Sequence, residues 1–152
     1  MSRPISAEAP VAASPDEVFA FLVDLENHWQ LAGPFIEVLE LEGPEGAHAG
    51  GRVRIHGPLG TRRTATTTVE GATRPAQLSG RAAVGPRTEA AVTWSLSRNG
   101  AGTHVRLEAR VLRAAPLDRL ALALGGRFWL RRHFRSTIDS LSRRLSQGSR
   151  EP

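Results

Sequence analysis

The side chains able to do chemistry are few in this chain of 152 residues. It holds no cysteine and no tyrosine, so neither a thiolate nucleophile nor a phenolic acid can act. Five histidines remain. His56 and His104 sit in alternating stretches, out of phase with the apolar residues, and so point to solvent. His48 lies among glycines and His133 among arginines, whereas His28 adjoins Trp29 and is the one histidine with a case for a role. There is no His-x-His, no HExxH and no acidic cluster in register with a histidine, so no metal is expected. Glu37, Glu40 and Glu42 share one strand but face both ways, which suits a sheet edge better than a catalytic pair. The Gly100-Ala101-Gly102 run joins two strands rather than a strand and a helix, which argues against a dinucleotide cofactor. Arg63 is the notable polar residue, because extrapolated alternation puts it on the face of Ala65, Thr67 and Val69. A guanidinium on an inward face needs an anionic partner or a path back to water.

Those residues depend on elements that the patterning makes legible. Residues 5–13 alternate loosely, with Pro4 and Pro10 each denying a ladder donor, which predicts an edge strand or a bulge. Ser14, Pro15 and Glu17 spell a helix start, followed by Val18, Phe19, Leu22 and Leu25 on one face. A second short turn is expected over 28–31. Strands are predicted over 35–42, 52–56, 62–70, 75–84, 88–96 and 103–112, broken by Gly-Pro and Asn-Gly turns. Each carries one apolar and one charged row: Val53 and Ile55 on one, Ala90, Val92, Trp94 and Leu96 on another, Val105, Leu107, Ala109 and Val111 on the last. Such strands make an antiparallel sheet solvated on one side.

The apolar face needs a cover, and 116–147 supplies it. Leu117, Leu120, Ala121, Leu124 and Phe128 form one stripe at helical spacing; Phe134, Ile138, Leu141 and Leu145 form a second, roughly 90° round the axis. The offset falls at Gly125-Gly126, the pair best able to bend or interrupt a helix. The second stripe is expected in the grip of the sheet, and the first at the end of the interior, where motion at the glycines would act as a gate. The class is therefore α+β: a curved antiparallel sheet of about seven strands around a long C-terminal helix, with two short helices after the first strand. One domain over 1–147 is expected, with 148–152 as a disordered tail.

Composition bounds the rest. Apolar content of 40% and charged content of 23% are those of an ordinary globular domain. No apolar run reaches the roughly 18 residues of a membrane span, and residues 1–10 lack a hydrophobic signal core, which points to the cytoplasm. The net charge is +5, with 20 basic residues that are all arginine. They are spread along the chain, so a solvated basic surface is the better reading and nucleic acid is not expected as a partner. Arg127, Arg131, Arg132, Arg135, Arg143 and Arg144 give the last helix a basic face beside Trp129 and Leu130, a pattern suited to weak peripheral contact with anionic interfaces but not to stable insertion.

The order of elements and four phrases resemble the START-like (SRPBCC) superfamily, within it the polyketide cyclase/dehydrase and lipid-transport-like group. SPDEVFAFLVDLENHW is similar to its first helix and the tryptophan beyond; PFIEVLELEG to its second strand; AVTWSLSRNGAGTHVRLEARV to its last hairpin; and LDRLALALGGRFWLRRHFRSTIDSLSRRL to its closing helix. The resemblance implies a helix-grip fold with an internal cavity for a small hydrophobic molecule, lipid or polyketide-like. Trp29, Phe35, Val53, Ile55, Thr67, Leu78, Trp94, Phe128, Phe134, Ile138 and Leu141 would then line it, with Thr67 available as a hydrogen-bonding group. The alternative is a cyclase or dehydratase in the same cavity, needing no cofactor, with Arg63 polarising a carbonyl or enolate and His28 at the mouth. A third reading is a protein-interaction module, marked by a collapsed interior and an exposed apolar patch.

Overall fold

Period-two patterning becomes seven strands in the computed structural model, which describes residues 4–23, 27, 36–42, 50–57 and 60–148. They are β1 (Ile5–Val11), β2 (Ile36–Glu42), β3 (Gly50–His56), β4 (Arg62–Thr73), β5 (Gln77–Val84), β6 (Thr88–Asn99) and β7 (Gly102–Arg113). All neighbours are antiparallel in the order β1-β7-β6-β5-β4-β3-β2, so β1, with Pro10 in it and Pro4 just before it, does lie at an edge. Register shifts between Val38 and Glu40 and between Val69 and Gly71 mark bulges, which add twist and bend the sheet.

Helix α1 (Pro15–Leu22) starts as its sequence dictates. The Ser14 hydroxyl accepts from the Glu17 N–H at 3.2 Å and donates to the Glu17 carboxylate at 3.1 Å, while Pro15 occupies the first turn. Its Val18, Phe19 and Leu22 are fully buried, and it packs against β5, β6 and β7. Thr103, itself buried, donates to the Ala13 carbonyl at 2.7 Å and fixes the chain where β1 hands over to α1. The expected second short helix falls outside the described residues, as do His28, Trp29, Phe35 and His48.

The C-terminal stretch is α2 (Pro116–Ala121), a π-helical turn (Leu122–Gly126) and α3 (Arg127–Gly148). Gly125 has φ of +120°, a conformation other residues rarely adopt, and a Cβ on Gly126 would come within 2.7 Å of the Ala121 carbonyl oxygen. Both glycines of the joint are thus needed, one for its backbone angle and one for close approach. Helix α3 lies along β1 and touches β7. Its Ile138 and Leu141 join Ala7, Val11, Phe19, Leu22, Leu78, Trp94, Leu96, Val105 and Leu107 in one buried core, with Phe134 and Leu145 packed against it. The architecture is an α+β helix-grip.

The other stripe behaves differently. Leu117, Leu120, Leu124 and Phe128 are 80%, 54%, 77% and 69% exposed. They do not cap the end of the interior. Helical spacing tells that a face is apolar, not what it meets.

Candidate functional site

The strand register sorts the inward residues into a half with large side chains and a half with small ones. Leu78 pairs with Trp94 and Trp94 with Leu107, a row of large side chains that belongs to the core beneath α1 and α3. Towards β3 the inward rows shrink. One runs Val53, Ala65, Val84, Thr88; the next runs Gly51, Thr67, Ala82, Ala90. Neither row carries a side chain larger than valine, and the helices pack chiefly against the other half of the sheet. The rows form a trough on the concave face.

Thr67 lies in the middle of that trough. It is buried, yet its hydroxyl is the one buried side-chain polar atom without a hydrogen-bond partner among the described residues. A buried hydroxyl left unpaired costs about 1–3 kcal/mol, which makes Thr67 the polar group here with most to gain from a partner. Gly51 and Ala82 flank it on the neighbouring strands, so no large side chain stands beside it in its own row.

At the end of the trough the guanidinium of Arg63 is taken up by Asp118 of α2, and lies 3.5 Å from the Val84 carbonyl. Thr88 donates its hydroxyl to the same carboxylate and accepts the Ala115 N–H at 3.1 Å. Burial alone would raise the Asp118 pKa, but the Thr88 hydroxyl and then the Arg63 guanidinium outweigh it, and the carboxyl sits below the ordinary aspartate value. The cluster ties β4, β6 and α2 together. Neither Asp118 nor Thr88 was legible as a partner of Arg63, since alternation reports a residue's face but not what a helix 55 residues later brings to it.

Of the sequence-predicted residues, the fold brings Val53 and Thr67 into the trough and sets Ile55 beside Arg63 at its end. Leu78, Trp94, Ile138, Leu141 and Phe134 come together in the packed core on its flank. Phe128 is not brought to either; it stands outward among the α3 arginines. His28, Trp29 and Phe35 lie outside the described residues. On the convex face the expected solvated histidines do point outward, His56 within 3.6 Å of Glu37 and His104 within 3.5 Å of Glu8. Among the described residues no group of three or more His, Asp or Glu side chains could hold a metal.

An open-edged, curved antiparallel sheet gripping a C-terminal helix defines the START-like class of ligand-enclosing folds. The chain belongs to the polyketide cyclase/dehydrase and lipid transport family, whose model matches residues 3–146. Among solved structures it is similar to a protein from Thermus thermophilus, at 22% identity and a TM-score of 0.72 over 97% of this chain and 99% of that one. It is also similar to a START superfamily protein from Mycobacterium smegmatis, at 17% identity, TM-score 0.68, and 95% and 99% coverage. A third, a protein of the dynemicin biosynthetic locus, aligns at 18% identity and TM-score 0.58, covering 97% of this chain and 49% of that one. No curated protein matches the chain in sequence. These likenesses speak to the fold.

Proposed function

We propose that this protein binds a small, largely apolar molecule carrying at least one hydrogen-bonding oxygen, lipid or polyketide-like, in the trough between β3–β5 and the C-terminal helix. The observation that carries the proposal is the buried, unpartnered Thr67 hydroxyl in a row of small inward residues. Thr67 would donate to the ligand oxygen, Val53 and Ala65 would contact its hydrocarbon, and Trp94, Ile138 and Leu141 would form the rigid flank. Family membership supports the same reading.

Binding is preferred over catalysis because the one inward-row guanidinium already has a carboxylate partner: Arg63 would have to leave Asp118 before polarising a substrate carbonyl. The deciding experiment compares Ala82→Leu and Thr67→Val with the wild type, using a fluorescent fatty-acid analogue and native mass spectrometry. If the trough is a ligand space, Ala82→Leu folds with little loss of stability and weakens probe binding by about tenfold or more. Thr67→Val weakens it about fivefold. A 1–3 kcal/mol destabilisation of ligand-free Ala82→Leu would mean the space is already packed, and the proposal would fall.

A further inference from the structure

The charge of this molecule is concentrated in one place. Residues 116–148 hold seven arginines (119, 127, 131, 132, 135, 143 and 144) and two aspartates (118 and 139), a balance of +5, and the rest of the chain holds 13 of each sign. Four of the sheet's arginines are paired across strands: Arg52 with Glu40 at 3.2 Å, Arg54 with Glu37 at 3.4 Å, Arg81 with Glu70 and Glu89 at 2.8 and 2.7 Å, Arg113 with Glu89 at 3.2 Å. Arg119, Arg131, Arg132 and Arg135 are exposed and form no ion pair with a described residue. The exposed apolar side chains Leu117, Leu120, Leu124 and Phe128 stand on this same segment. At 100° per residue Phe128 shares the outward face of α3 with Arg131, Arg132 and Arg135, and together with Asp139 and Arg143 they line an open groove of about 400 Å³.

We propose that α2, the π-helical turn and the first turns of α3 form a docking surface for an anionic lipid bilayer. Four large apolar side chains held out in water, ringed by cations, match an interface that is apolar below and negative at its headgroups. The latch of Asp118 to Arg63 and Thr88 holds α2 to the sheet at its first turn and so keeps the leucines presented. The glycine joint sets the angle between the two apolar-bearing segments. The nucleic-acid alternative explains the arginines but not the leucines; a protein partner explains the leucines but not the collected charge. This proposal stands apart from the interior ligand and survives if the trough proves packed.

The test is co-sedimentation with phosphatidylcholine vesicles with and without phosphatidylglycerol, at low and physiological salt. The wild type is expected to bind only the phosphatidylglycerol vesicles and to lose affinity as salt shortens the screening length to about 8 Å. Leu124→Asp with Phe128→Asp, at positions too exposed to be needed for folding, should weaken binding about tenfold or more. Replacing Arg131, Arg132 and Arg135 by glutamine should cost about fivefold for each arginine. Thr67→Val should bind vesicles as the wild type does, separating this surface from the interior. The proposal is overturned by absent vesicle binding, or by binding that the aspartate pair leaves unchanged. It is equally overturned by a concentration-dependent dimer that the aspartate pair abolishes, since a second copy would then cover the patch. Duplex-DNA binding tighter than vesicle binding and indifferent to the aspartate pair has the same meaning.

Discussion

Two polar residues act in opposite senses on stability. Asp118 accepts from both Arg63 and Thr88, and its native pKa lies below the unfolded value. As pH falls the unfolded chain therefore takes up the proton first, so this contribution is complete at neutral pH. It fades once the pH drops below the ordinary aspartate value of about 3.9 toward the depressed native one. Asp118→Asn should lower stability at neutral pH by about 1 kcal/mol, a modest figure because the Arg63 side chain is 43% exposed and screened. Urea midpoints of wild type and variant should converge in acid; a gap that stays constant from neutral pH to below about pH 4 would show that the carboxylate is not the source. Thr67 is the reverse case. Its hydroxyl is buried without a partner, so Thr67→Val should stabilise the ligand-free protein by about 1 kcal/mol, read as a higher urea midpoint at unchanged slope. A loss instead would mean that the hydroxyl has a partner in solution.

At the scale of elements, the glycine joint makes the sharpest claim. Gly125→Ala forces an L side chain to φ of +120°, and Gly126→Ala drives a methyl towards the Ala121 carbonyl. Each should lower stability by about 1–2 kcal/mol, read as a fall in Tm of several degrees. If Gly125→Ala is neutral, the helix runs straight through in solution. Because both changes reshape the joint, they cannot serve as a clean test of gating there. This joint, the seven strands and the Ser14 cap were legible because each rests on local rules: period-two alternation, turn chemistry, and a side chain reaching its own backbone. The two stripes of the C-terminal helices were legible as stripes, but only for the second was burial in the grip of the sheet rightly expected. Leu141 is buried while Leu124 is 77% exposed, and nothing in spacing distinguishes them. The trough was half legible. Alternation set Thr67 inward, but the row of Gly51, Ala82 and Ala90 beside it exists only through strand register. The bulge at Leu39 escaped the sequence too. By shifting register it lets Glu37 and Glu40, which strict alternation sends to opposite faces, both meet arginines on one face of β3.

The whole molecule is uneven, and that unevenness is measurable. The core gathers where α1 and α3 cover β1 and β5–β7: Phe19, Leu22, Trp94, Val105, Leu107, Ile138 and Leu141 all sit there. At the far edge β2 exposes Val38 and Leu39, and the inward rows of β3 and β4 carry small side chains. Opening free energies follow local burial, so a two-tier molecule should exchange its amides in two tiers. Hydrogen exchange followed by mass spectrometry should find β6 and β7 protected near the global limit, and β2 and β3 exchanging far faster. Saturating a trough ligand should then slow exchange mainly in β3, β4, the end of β5 and the first half of β6, where Val53, Ala65, Thr67, Ala82 and Ala90 would meet it. Binding adds stability only where contacts form or where opening must expel the ligand, so β1 and β7 should change little. Phosphatidylglycerol vesicles should instead protect 116–132 and leave β3 and β4 as they were. Protection of the same strands by both additions would mean one site rather than two, with the lipid reaching the interior through the helical joint. Uniform slow exchange across all seven strands in the free protein would remove the thin half on which the trough depends.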